Sequence, residues 1–164
     1  MTRVAALGLD VGQRRIGVAG CDGLGLVATG LTTIQRRSFD QDVAQLRYWV
    51  QERQAEILVV GLPYTLAGEL GFQAQQVQKF ANRLRVALEL PVAYVDERFT
   101  SQEAKENLQL SRRDRRRNKG AIDREAATII LQQWLEQRRS PALLPAPAPT
   151  TTLDRDGHPK AAAR

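Results

Sequence analysis

Leu7-Gly8-Leu9-Asp10-Val11-Gly12-Gln13-Arg14-Arg15-Ile16-Gly17-Val18-Ala19 sets a carboxylate at the end of an apolar strand and at the mouth of a glycine-rich hairpin. Val4 to Leu9 is a short apolar run of the kind that sits inside a sheet. An ionised aspartate at its end is costly to bury unless a metal, a partner or water compensates it. Gly12 and Gly17 remove side-chain bulk where a phosphate or another backbone would approach, and Arg14 and Arg15 add positive charge beside it. The stretch reads as a metal-and-phosphate site on the first hairpin of an α/β domain. A tight hairpin without any ligand favours the same residue types, so the rest of the chain has to decide.

Working outward, the pattern alternates strands and helices. Arg15 to Cys21 returns antiparallel to the first strand, and Leu26 to Ile34 follows Asp22-Gly23 as a third. Ser38-Phe39-Asp40-Gln41-Asp42 opens a helix with caps available at Ser38 or Asp40, and Val43, Leu46 and Val50 share one face. Ile57-Leu58-Val59-Val60-Gly61 is apolar without alternation, as in a central parallel strand covered on both sides. Gly71 to Leu90 is an amphipathic helix, Pro91 to Val95 a short strand running into Asp96-Glu97-Arg98, and Ser101 to Leu110 and Ile122 to Leu135 are helical. The expected architecture is α/β: a mixed five-stranded sheet, its first three strands an antiparallel meander, with helices on both faces.

Composition bounds the class. Ser140 to Arg164 hold five of the seven prolines among Ala and Thr and read as a disordered tail. Residues 1–139 then form one domain of usual size. No apolar run is long enough for a bilayer, and the amino terminus lacks the pattern of a secretory signal. A single cysteine, Cys21, makes no internal disulfide, which fits a reducing cytoplasm; its bland reading is a small, half-buried strand residue.

Charge is unevenly placed. Arg112, Arg113, Arg115, Arg116, Arg117 and Lys119 are set against Asp114 alone, so this segment carries +5 of the chain's +6. Such concentration is the footprint of a polyanion, above all nucleic acid; the alternative is a solvated loop that only aids solubility.

In sheets of this kind chemistry collects at the carboxyl ends of strands. Asp10 ends strand one, Asp96 and Glu97 end the last strand, and Asp123 lies in the first turn of the closing helix. Clustered carboxylates need cations between them near neutral pH. Oxygen-only ligands select Mg²⁺ or Mn²⁺ over zinc, and the one histidine, His158, lies in the tail. Two such ions about 4 Å apart stabilise the attacking and leaving oxygens of an in-line phosphoryl displacement. With the basic loop beside it, the cluster is a nuclease candidate.

Four segments together resemble the YqgF family, also called RuvX, of pre-16S ribosomal RNA nucleases and Holliday-junction-resolvase-like proteins. They are Leu9 to Ala19, Val59-Val60-Gly61-Leu62-Pro63, Val95-Asp96-Glu97-Arg98-Phe99-Thr100-Ser101 and Lys119-Gly120-Ala121-Ile122-Asp123. They stand in family order and span Val4 to about Leu135. The resemblance implies a ribonuclease H-like fold and Asp10, Glu97 and Asp123 as metal-binding, catalytic acids. Asp96 is an adjacent candidate, since neighbours on a strand end point oppositely.

Other residues have paired readings. Arg98 binds a phosphate or pairs with Glu97. Thr100 or Ser101 caps the next helix, with Glu103 placed for a capping box. Gly61-Leu62-Pro63 turns the chain off the central strand. Lys119 and Gly120 precede a helix amino terminus that favours phosphate. Trp49 and Trp134 belong to the core. The resulting expectation is a metal-dependent endonuclease acting on structured RNA in 5′-end maturation of pre-16S rRNA. Its nucleic-acid contacts would be Arg14, Arg15, Arg98 and the Arg112–Lys119 cluster. The alternatives are a resolvase of branched DNA and, from another class, a non-catalytic RNA-binding assembly factor with vestigial acids. A homodimer is compatible with every version. A sugar-kinase or actin-like ATPase shares the Asp10-Val11-Gly12 loop but needs a second lobe for which this chain has no room.

Overall fold

A computed structural model of the chain describes residues 3–65, 67–97, 104, 106–108 and 117–139. The expected Ser101 to Leu110 helix, Arg98, most of the basic cluster and the tail lie largely or wholly outside those residues. Strands β1 (Ala6–Val11), β2 (Arg15–Cys21) and β3 (Ala28–Gln35) lead into helix α1 (Phe39–Arg53). Strand β4 (Ile57–Leu62), helix α2 (Phe72–Leu88), strand β5 (Val92–Asp96) and helix α3 (Lys119–Arg139) follow. The sheet order is β3-β2-β1-β4-β5. The first three strands run antiparallel as a meander, and β4 and β5 add in parallel on the other side of β1.

Period-two alternation sorts the strand side chains between two faces. Leu7, Leu9, Ile16, Val18, Leu58 and Val60 point to one face, where they pack with Val43 and Leu46 of α1 and Val77, Phe80 and Leu84 of α2. Ala6, Ala19, Ala28 and Val59 point to the other, which α3 covers with Ala127, Ile130, Leu131 and Leu135. Helices therefore lie on both faces, as the pattern predicts.

Ser38 is the N-cap of α1; its hydroxyl accepts from the Gln41 amide at 3.2 Å. That helix stops at Gln54 in the left-handed region (φ 49°). Strand β3 begins two residues later than the pattern predicts. The Asp22 carboxylate accepts from the amides of Leu26 and Val27, holding them in a turn with both side chains exposed. Helix α3 begins three residues earlier than the apolar periodicity marks, its first turn lying against β3. Thr33 donates to the Gly120 carbonyl, and the Gln132 amide pairs with both Leu26 and Ala28. Cys21 is half-buried with Sγ beside the Val4 and Ala6 carbonyls, and Trp49 and Trp134 pack against the two cores.

Candidate functional site

The glycines of the hairpin have different tasks. A Cβ on Gly17 would lie 1.9 Å from the Asp123 carbonyl oxygen, and one on Gly8 would lie 2.6 Å from Leu131 Cβ. Both contacts are impossible, so helix α3 docks directly on the backbone of β1 and β2. Of the two approaches the sequence allows at Gly17, phosphate or backbone, the structure fills the place with backbone. Gly12 closes the turn, its amide donating to the Arg15 carbonyl at 2.9 Å.

That docking carries Asp123 to the sheet. Asp10 lies opposite Gly17 in the β1–β2 register, and both face α3, so the first turn of α3 lies beside the Asp10 carboxylate. Glu97 arrives from the other side. It follows β5 directly, and its amide donates to the Leu62 carbonyl at 3.1 Å. Its side chain turns back over Gly61, where an added Cβ would meet the Glu97 carboxyl carbon at 2.8 Å and Ile130 Cδ1 at 2.5 Å. The glycine near the end of β4 thus makes room for the Glu97 side chain. An isolated glycine in a central strand is the signal that marks such a place. Asp96, the last residue of β5, is exposed.

The Glu97 carboxyl group donates a hydrogen bond to the Asp10 carboxylate. Burial, reinforced by the Asp123 charge, raises Asp10 to about 6 against the pull of this hydrogen bond and of Arg15. Burial, the Asp10 charge, the hydrogen bond and Asp96 raise Glu97 to about 9. One proton is therefore held between two carboxyl groups at neutral pH. This is what apposed acids do without a cation.

Asp123 stands at the edge of this pair, with its carboxylate held by Arg15: Nε to Oδ2 is 2.6 Å, with both side chains about a quarter exposed. Among the described residues no three acid, histidine or cysteine side chains stand ready around one point. The donor chemistry still fits a hard divalent ion. All donors are carboxylate oxygens, the ligands that such an ion takes.

Of the residues expected to meet nucleic acid, Arg14, Arg117 and Lys119 are exposed, and Arg15 is engaged with Asp123. Arg98, Arg112, Arg113, Arg115 and Arg116 lie outside the described residues. Sequence reasoning missed Arg36 and Asp42. Arg36 donates to the Gly12 carbonyl at 2.6 Å, stacks over Phe80 at 4.3 Å and lies 3.6 Å from the buried Asp42 carboxylate. It ties the turn that follows Asp10 to the start of α1. The available signal was an arginine pair just ahead of a cap with an acid in the first helical turn.

Comparisons with known proteins bear on the family and the fold. The family described as "RuvX: Holliday junction resolvase" matches residues 4–137. A protein of Rippkaea orientalis named "Putative pre-16S rRNA nuclease" is 66% identical over 139 residues, 85% of this chain and 100% of that one. Its namesake in Synechococcus elongatus is 60% identical over 141 residues, 86% of this chain and 95% of that one. Among solved structures, Thermus thermophilus RuvC in complex with a Holliday junction substrate superimposes with a TM-score of 0.53 at 13% identity. The match covers 83% of this chain and 96% of that one. The likeness is one of fold, the ribonuclease H-like fold.

Proposed function

This chain belongs to the RuvX family, and from that membership and the site's geometry we propose that it is a cytoplasmic, divalent-metal-dependent endonuclease that matures the 5′ end of pre-16S rRNA. The observation that carries the reading is the meeting of Asp10 and Glu97, with Asp123 at their edge, on the face of the sheet that α3 covers. No packing need brings three acids together there. Their mutual repulsion opposes the fold and is relieved by a cation.

In this reading Asp10, Glu97 and Asp123 hold Mg²⁺ or Mn²⁺, two ions when substrate is present. Bound there, the metal supplies the charge that makes water nucleophilic and stabilises the leaving oxygen. The chain's own residues do the rest. Asp10 is fixed by β1 and Glu97 by its amide bond to Leu62, so neither ligand has to reorganise far. To serve as a ligand, Glu97 would have to release the proton that burial and the Asp10 charge favour. Arg14, Arg98 and the Arg112–Lys119 cluster hold the phosphate backbone of a structured RNA, positioning it without reading its sequence.

A second reading, cleavage of branched DNA, is favoured by the family's own description, and the same acids would serve it. One experiment separates them. A pre-16S rRNA fragment and a four-way DNA junction are incubated side by side with the protein in Mg²⁺, Mn²⁺ or EDTA. The expected result is metal-dependent scission of the RNA, with the junction cut slowly or not at all. Preferential junction cleavage would transfer the function to DNA, and scission of neither substrate with either ion would remove the nuclease reading.

A further inference from the structure

We propose that Arg15 is a latch on Asp123: it holds the third acid away from the Asp10–Glu97 pair until a substrate phosphate takes its guanidinium. The inference rests on the three acids being cation ligands, and it adds a positioning residue that couples phosphate arrival to completion of the metal site.

The geometry has two parts. The backbone of Asp123 is fixed, because its carbonyl lies against Gly17 so closely that no side chain fits between them. Its carboxylate is held separately by Arg15, which projects from the same strand two residues earlier and so faces the same side. Moving the carboxylate therefore requires only side-chain rotation. The 2.6 Å contact is a charge-assisted hydrogen bond, and both groups are about a quarter exposed, so an incoming phosphate can reach the pair. A phosphate competes well for guanidinium because its oxygens match the fork of N–H donors. Once Arg15 turns to it, Asp123 is an uncompensated carboxylate beside Asp10 and is drawn to the cation. Metal and nucleic acid then strengthen each other's binding, reciprocally.

The test begins with Mn²⁺ titrated calorimetrically into the full-length, metal-free protein without nucleic acid. Arg15→Gln should bind Mn²⁺ about two- to fivefold more tightly, the size of a part-exposed ion pair. Arg15→Lys should stay at the wild-type affinity, because an ammonium also pairs with the carboxylate. Combining Arg15→Gln with Asp123→Asn should add nothing to Asp123→Asn alone, whereas a general field effect of the lost charge would persist undiminished in the double variant. In cleavage of the rRNA fragment, Arg15→Gln should raise KM and Arg15→Lys should restore part of the loss. Unchanged Mn²⁺ affinity in Arg15→Gln, or a full effect surviving in the double variant, overturns the latch. If the calorimetry follows expectation while the wild type cuts neither substrate, the latch stands and the nuclease reading falls.

Discussion

The two faces of the sheet are made of opposite materials. Toward α1 and α2 it presents Leu7, Leu9, Ile16, Val18, Leu58 and Val60, bulky side chains that keep the helices a full layer away. Toward α3 its first three strands present Gly8, Gly17, Ala6, Ala19 and Ala28, with Val59 and Val95 only on β4 and β5, and the helix lies almost on β1 and β2. Bulky faces tolerate repacking, since volume can be redistributed among flexible side chains. A face where backbone meets backbone has no such reserve. Asp10, Glu97, Asp123 and Arg15 all belong to the unyielding face. One side of the sheet supplies most of the large apolar burial, and the other fixes the site.

The strongest way to sharpen this contrast is to remove function without touching packing. Asp10→Asn should abolish cleavage while leaving the metal-free melting temperature unchanged or higher, because a repelling charge is gone. Glu97→Gln and Asp123→Asn should behave alike, and double variants should cost little more than singles. Asp96→Asn should be milder. Turnover and thermal melts on the same samples check this set; normal turnover by Asp10→Asn over a Mn²⁺ titration would remove that acid from the site.

Next in size is a matched pair of packing changes. Gly17→Ala places a methyl group inside the Asp123 carbonyl, so α3 must lift. Cleavage should fall by orders of magnitude together with the melting temperature. Leu46→Ala on the opposite face should cost about 2–5 kcal/mol of stability yet leave kcat near wild type in the folded fraction. Equal losses of kcat in both variants would erase the distinction between the faces.

The basic cluster comes third. Replacing Arg113, Arg115, Arg116 and Arg117 by Gln in an Asp10→Asn background should flatten the log–log salt dependence of binding by roughly 3 to 4 units on duplex. Affinity at low salt should drop similarly for unrelated sequences. An unchanged slope would mean that the substrate enters elsewhere.

A smaller effect lies in pH. Asp10 and Glu97, raised to about 6 and about 9 from 3.8 and 4.5, bind more protons in the folded chain than in the unfolded one. Their contribution to stability is full below about pH 4 and is lost as pH rises through 6 towards 9. The metal-free melting temperature should decline over that window. Glu97→Gln should flatten the decline, and Mn²⁺ should oppose it most at the alkaline end. A flat profile for the metal-free wild type would deny the apposition of the two carboxyl groups. The smallest effect is expected from deleting Ser140 to Arg164, which should leave melting and turnover nearly unchanged.

Much of this arrangement was legible in the sequence because it is written locally. The apolar run of β4, the cap at Ser38 and the acids at two strand ends and a helix start are patterns within a few residues. The ordering of the segments supplied the fold. What escaped was contact across long separations. Arg15 reads as a phosphate ligand because nothing nearby shows that Asp123, 108 positions on, meets it first. The Arg36–Gly12 bond and the burial of Asp42 were hidden for the same reason. Boundaries slipped where a side chain overrode periodicity, as at Asp22 before β3 and at the α3 first turn docked on Thr33.

The order of the chain has a consequence for the cell that makes it. Asp10 is made well before Asp123, which belongs to α3, the last helix described and the one that covers the Ala-rich side of the sheet. During synthesis the first two acids can approach while the third is still being made. A chain that has not yet reached α3 therefore leaves that apolar side of the sheet uncovered and lacks Asp123. The third acid therefore takes its place only as α3 closes over the sheet.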